Sequence, residues 1–108
     1  MKLAAVYDRE SGMICRQFEE AKILKIYETD GDEIIHTEEV GTMAESVEDI
    51  ISLIMLMEAD CVLCDELKKD TMELLKEEGI LYYSGFEDYA DDVAFAFVNG
   101  YIIFGPDD

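Results

Sequence analysis

Residues 61–83 constrain the fold more than any other stretch. An apolar run, Cys61, Val62, Leu63 and Cys64, precedes an amphipathic helical pattern over 65–78 and a second apolar run over 80–83. Two short buried strands joined through a helix must run parallel, because only a long crossover returns the chain to the same sheet edge. Leu67, Leu74 and Leu75 mark the inner face of that helix, and Lys68, Lys69, Glu73 and residues 76–78 the outer face. Gly79 suits the left-handed position just past a helix end.

The first forty residues read differently. Residues 1–7 form an apolar strand closed by the turn residues 8–12, and 13–15 supply a short second strand. Residues 21–29 carry Ile23, Leu24, Ile26 and Tyr27 in a third strand. Asp30, Gly31 and Asp32 then make a tight hairpin turn. Residues 33–40 form the return strand, with Ile34 or Ile35 facing the core.

Ser46 and Asp49 have capping-box spacing. The helix that follows is apolar on more than one face, through Val47, Ile50, Ile51, Ile54, Leu56 and Met57, so it is expected to be buried on two sides or to form an oligomer contact. Asp88 is placed to cap a last helix through Ala90, Val93, Ala94 and Phe97, which Asn99 and Gly100 stop. The tail 101–104 is apolar and is expected to pack on the domain or on a second subunit. The expected architecture is α/β, a mixed five-stranded sheet flanked by helices, in one domain over 1–100.

Charge excludes several functions. Among 108 residues, 27 acids face 8 bases, for a net charge of −19. Such a field repels nucleic-acid phosphates and anionic membranes, and it favours a basic protein or a cation as partner. Three cysteines, an odd count with no secretory pattern, suggest free thiols in a reducing cytoplasm. No apolar run approaches the ~20 residues that span a bilayer.

Three stretches carry a resemblance to a known family. They are MKLAAVYD at 1–8; Phe18, Ala21, Leu24, Ile26, Tyr27 and Glu28; and ADCVLC at 59–64 with LKEEGI at 75–80. In this order and spacing the chain resembles the dinitrogenase iron-molybdenum cofactor-binding family (NifX-like) from residue 1 to about 100. The resemblance implies a ribonuclease H-like three-layer fold and a non-catalytic carrier or accessory role in nitrogenase cofactor biosynthesis. It also implies a cleft bordered by Cys15, Gln17, Phe18, Cys64, Asp65 and Glu66. The family's His-Phe-Gly is here Gln17-Phe18-Glu19, and its Gly-Gly-x-Gly loop is Asp65-Glu66-Leu67-Lys68. Carboxylates replace bare backbone where a large anionic cluster would dock.

Within that cleft Cys15 and Cys64 are the candidate ligands for an iron–sulfur or iron–molybdenum cluster. Burial as small hydrophobes, with no cofactor at all, is the alternative. Cys61 and Cys64 have redox spacing, yet residues three apart on a strand face opposite sides. His36, the single histidine, reads as a strand surface residue. Asp8 ends the first strand, where a nuclease carboxylate could stand, but the charge repels that substrate. Tyr82, Tyr83, Phe86 and Tyr89 are expected to pack the last helix or line the cleft. Two functions follow: a cluster carrier using Cys15 and Cys64, or a divergent member that has lost the cluster and works by protein contact, with a possible homodimer.

Overall fold

A computed structural model describes residues 1–100; the apolar tail at 101–104 lies outside them. The elements run β1 (Lys2–Asp8), β2 (Met13–Ile14), a 3-10 turn (Phe18–Glu20), β3 (Ile23–Asp30), β4 (Glu33–Gly41), α1 (Val47–Leu56), β5 (Cys61–Leu63), α2 (Lys69–Glu77), β6 (Leu81–Tyr83) and α3 (Ala90–Val98). The sheet is mixed, with spatial order β4-β3-β1-β5-β6. It has six strands rather than five, because the short β2 also pairs with β1 beside that path.

β1 is central, antiparallel to β3 and parallel to β5. Its residues Leu3, Ala4, Ala5 and Val6 are fully buried. A strand covered on both faces reads as a continuous apolar run, which is why no alternation is visible there.

The crossovers β4-α1-β5 and β5-α2-β6 both move the same way across the sheet. Right-handed connection therefore puts α1 and α2 on one face. The other face belongs to α3. Its Asp91 accepts a 2.7 Å hydrogen bond from the Tyr27 hydroxyl and a 2.7 Å ion pair from Lys25, both on β3. Its Phe97 packs on Tyr83 of β6 with ring centroids 5.2 Å apart. Lys25 also lies 5.0 Å from the Tyr7 ring. Lys25, then Tyr27, hold the Asp91 carboxyl below the usual range. That contribution to stability is present above the ordinary carboxylate pKa and is lost as pH falls through the lowered one.

Local details differ from expectation at three points. Ser46 makes no side-chain cap; instead Asp49 accepts from the Glu45 amide at 2.9 Å. Asp88 binds the Tyr89 amide at 2.7 Å, and Tyr89 is the residue preceding α3. α2 begins at Lys69 rather than 65. Gly79 follows α2 at φ +70°, a conformation costly for any other residue. Of the two hairpin isoleucines, Ile34 packs against the core while Ile35 is 59% exposed. The register skips Ile35, pairing Glu28 with His36 and Thr29 with Ile34, so the bulge expels it. His36 is exposed on β4.

Candidate functional site

The bend between β5 and α2 is where the sequence places its candidate residues, and neighbouring loops clasp it on two sides. On one side Gln17 and Glu66 form a parallel bridge. The Glu66 amide donates to the Arg16 carbonyl and the Phe18 amide to the Glu66 carbonyl, each at 2.9 Å. Side chains repeat the pairing: Arg16 Nε lies 2.9 Å from Glu66 Oε2, and Gln17 Nε2 donates to the same oxygen at 3.1 Å. On the other side the Cys64 amide donates to Tyr83, while Gly85 and Phe86 amides donate to the carbonyls of Asp65 and Cys64. Gln17, Phe18, Asp65 and Glu66 are thus brought together.

The Cys64 and Glu66 amides are thereby committed to the protein itself. The start of α2 is filled as well. Lys68, which precedes it, offers no capping oxygen. Glu19 supplies one from the 3-10 turn: its Oε2 accepts the Lys68 amide at 2.9 Å and the Thr71 hydroxyl. Its other oxygen, Oε1, is buried without a hydrogen-bond partner among the described residues. A carboxylate at a helix N-terminus is electrostatically favourable, and it occupies the position an external anion would take.

The two candidate thiols have different surroundings. Cys64 is fully buried, and its Sγ lies 3.5 Å from the Tyr83 carbonyl oxygen. Burial, reinforced by Asp65 and Glu19, pushes its thiol up to about 12. Cys15 is half-buried, with Sγ 3.4 Å from the Gln17 carbonyl. It opens into a cleft of about 330 Å³ with Tyr7, Asp8, Glu20 and Lys22 on its walls and without Cys64. Burial is again the first cause of its raised pKa, and Asp8 and Glu20 add to it. Cys61 is buried and likewise pushed up to about 12. Among the described residues no group of three or more His, Cys, Asp or Glu is placed to hold a metal ion.

Thiolate is the reactive form of cysteine. In the native protein Cys15 is therefore expected to react alone with a maleimide or disulfide reagent at neutral pH, and all three cysteines after denaturation. Rapid native labelling of Cys61 or Cys64, located by mass spectrometry, would show that this core is open.

Asp65 is buried, and no side chain donates a hydrogen bond to it among the described residues. Desolvation first, then Glu87 and Glu66, raise its pKa, with Arg16 opposing. The native state then holds this proton more tightly than the unfolded chain. Stability consequently falls as pH rises from 3.8 through the raised value, and the deficit persists at neutrality. Asp65→Asn is expected to raise the melting temperature at pH 7, and the gain to vanish as pH approaches 3.8. Thermal unfolding followed by circular dichroism across that range checks the sign.

Of the residues that matter here, sequence reasoning misses Arg16, Glu19 and Thr71 as bonding partners and Glu87 as a charge beside Asp65. Asp8 binds its own turn, taking the Ser11 hydroxyl at 2.9 Å and the Glu10 amide at 3.2 Å.

Solved structures share this architecture. The crystal structure of PH0822 superposes with a TM-score of 0.85, covering 93% of this chain and 90% of that one at 21% identity. A crystal structure from Methanocaldococcus jannaschii, MJ0327, provisionally assigned as a dinitrogenase, gives a TM-score of 0.73 at 21% identity over 93% and 89% of the two chains. A Thermotoga protein provisionally assigned as NifB gives 0.69 at 18% identity over 92% and 88%. A comparison with curated proteins finds no match. The model of the family described as "Dinitrogenase iron-molybdenum cofactor" matches residues 1–100. The chain belongs to the dinitrogenase iron-molybdenum cofactor family.

Proposed function

We propose that this chain is a non-catalytic, cytoplasmic accessory domain of its family, with a ribonuclease H-like fold, whose cluster-facing loops are closed by its own carboxylates and which acts through protein contact. The observation that carries this reading is the state of the bend after β5. The Cys64, Glu66 and Lys68 amides are all donated internally, the last to Glu19. A loop built to receive a large anion leaves such amides free and keeps acids away. Here Glu19, Asp65 and Glu66 surround the position in a chain of net charge −19. The residues present do not fit an anionic iron–sulfur or iron–molybdenum cluster. Cys64 adds to the mismatch, since its sulfur is enclosed and protonated at neutral pH.

The carrier reading rests on family membership and on Cys15, whose sulfur borders an open cleft. Anaerobic incubation with isolated cofactor, or with ferrous iron and sulfide, separates the two. Metal analysis and visible absorbance after desalting are expected to match those of an unrelated control protein. Stoichiometric uptake that is lost in Cys15→Ser would overturn the proposal and restore the carrier.

A further inference from the structure

The fold leaves an apolar surface on α1 that the closed bend does not explain. Leu56 is 77% exposed, Met55 47%, and Met43, just before the helix, 93%. Single exposed apolar residues are ordinary, but Met43 and Leu56 line one cleft together and Met55, next to Leu56 in the last turn of α1, lines its neighbour. α1 stands as a ridge between two shallow clefts that share Ser52. One, of about 390 Å³, runs past Met43 and Leu56; the other, of about 320 Å³, runs past Met55 toward Leu74 of α2.

Acids line both clefts, Glu45 and Asp49 in the first and Glu48 and Glu78 in the second, and no basic side chain lines either. Residues 37–67 contain nine acids and no Lys, Arg or His. Glu48 and Asp49 suit the first turn of a helix on their own account. That does not explain why, among the described residues, nothing covers the apolar last turn of the same face.

We propose that this ridge and its clefts dock a basic amphipathic segment of a partner protein, with apolar residues seated along Met43, Met55 and Leu56 and flanking Lys or Arg on the acids. Methionine suits such a surface because its unbranched thioether adapts to varied shapes. Charge argues against a second copy. Two chains of −19 would bring the same acidic rims together with no cation between them. The inference rests on the protein-contact reading above. Metal uptake tests that reading, and the measurement below tests the surface alone.

The probe is a synthetic amphipathic peptide of Lys and Leu, about 18 residues or five helical turns long. A Lys/Ser peptide of equal charge serves as its comparison. Binding to the full chain is read by fluorescence anisotropy between about 0.05 and 0.3 M salt. The Leu-containing peptide is expected to bind more tightly than the Lys/Ser peptide. Its affinity should fall about tenfold in Met43→Ser/Leu56→Ser and comparably in Glu45→Gln/Glu48→Gln. Glu33→Gln/Glu38→Gln on β4 carries the same charge change and is expected to leave affinity within about twofold. Circular dichroism confirms that each variant folds. Equal weakening by the β4 and α1 variants, or no preference between the peptides, overturns the proposal as unspecific attraction. A wild-type dimer in light scattering that dissociates in Met43→Ser/Leu56→Ser also overturns it, assigning the surface to a second copy.

Discussion

Replacing Phe18 by alanine is expected to lower the unfolding free energy by about 3–5 kcal/mol. Phe18 is fully buried although it belongs to a three-residue 3-10 turn and not to a regular layer. That turn packs against α1, and the Phe18 amide bonds the Glu66 carbonyl. Phe18 therefore ties its own turn to α1 and to the bend between β5 and α2, both of which lie far along the chain from it. Truncation removes the transfer free energy of the ring and leaves a cavity that these clasped loops cannot fill without giving up backbone hydrogen bonds.

A domain of this size has only about 5–15 kcal/mol of stability in total, so the variant sits near the edge of folding. Urea unfolding by circular dichroism measures the loss as a lowered midpoint at unchanged slope. Phe95→Ala, at a residue 54% exposed on α3, provides the contrast and should cost clearly less than Phe18→Ala. A Phe18→Ala loss below about 1 kcal/mol would mean that the loops do not depend on this anchor. Phe18→Leu, which keeps most of the volume, is expected to recover more than half of the loss.

Elements whose signals are local were legible in the sequence. The hairpin turn at Gly31, the stop at Gly79 and the parallel pair at 61–83 all follow from neighbouring residues, and the structure places them as expected. The start of α2 was not legible. Leu67, Leu74 and Leu75 share a helical face, so periodicity extends the helix back to 65. The chain stays extended there because Glu66 pairs with Arg16 and Phe18, and the Lys68 amide goes to Glu19, contacts about fifty residues apart. No window along the sequence holds that information. The resemblance placed the loop at 17–18 beside the loop at 65–66, and the Gln17–Glu66 bridge gives that neighbourhood its geometry. The role of Glu19 went unseen for a related reason. It reads as one more acid repelling an anion, whereas its carboxylate is the anion at that helix end. The signal appears only once the helix start is known: Lys68 has no side-chain oxygen to cap α2, so the cap comes from elsewhere in the chain.

Glu19→Ala is accordingly expected to cost about 2–3 kcal/mol, at the upper end for a helix cap, because the acceptor is charged and serves two donors. The loss has three physical parts. The Lys68 amide is left without its partner, the Thr71 hydroxyl, in a residue 2% exposed, loses its acceptor, and the positive end of α2 loses its compensating charge. One effect opposes them: removing a negative charge lowers repulsion in a chain of −19. The local bonds prevail because they are short-range and partly buried, whereas the diffuse field is screened within about 10 Å at 0.1 M salt. A double-mutant cycle with Thr71→Val isolates the pair, and a coupling of about 1–2 kcal/mol in urea unfolding is expected. Glu19→Gln, which retains an acceptor without the charge, should fall between wild type and alanine. Hydrogen exchange adds a local reading, with protection lost at Lys68 and in the first turn of α2 while the β1–β3 pairing keeps its own. A neutral Glu19→Ala, or a coupling indistinguishable from zero, would show that this helix end does not need its internal anion, and the closed bend would lose its physical basis.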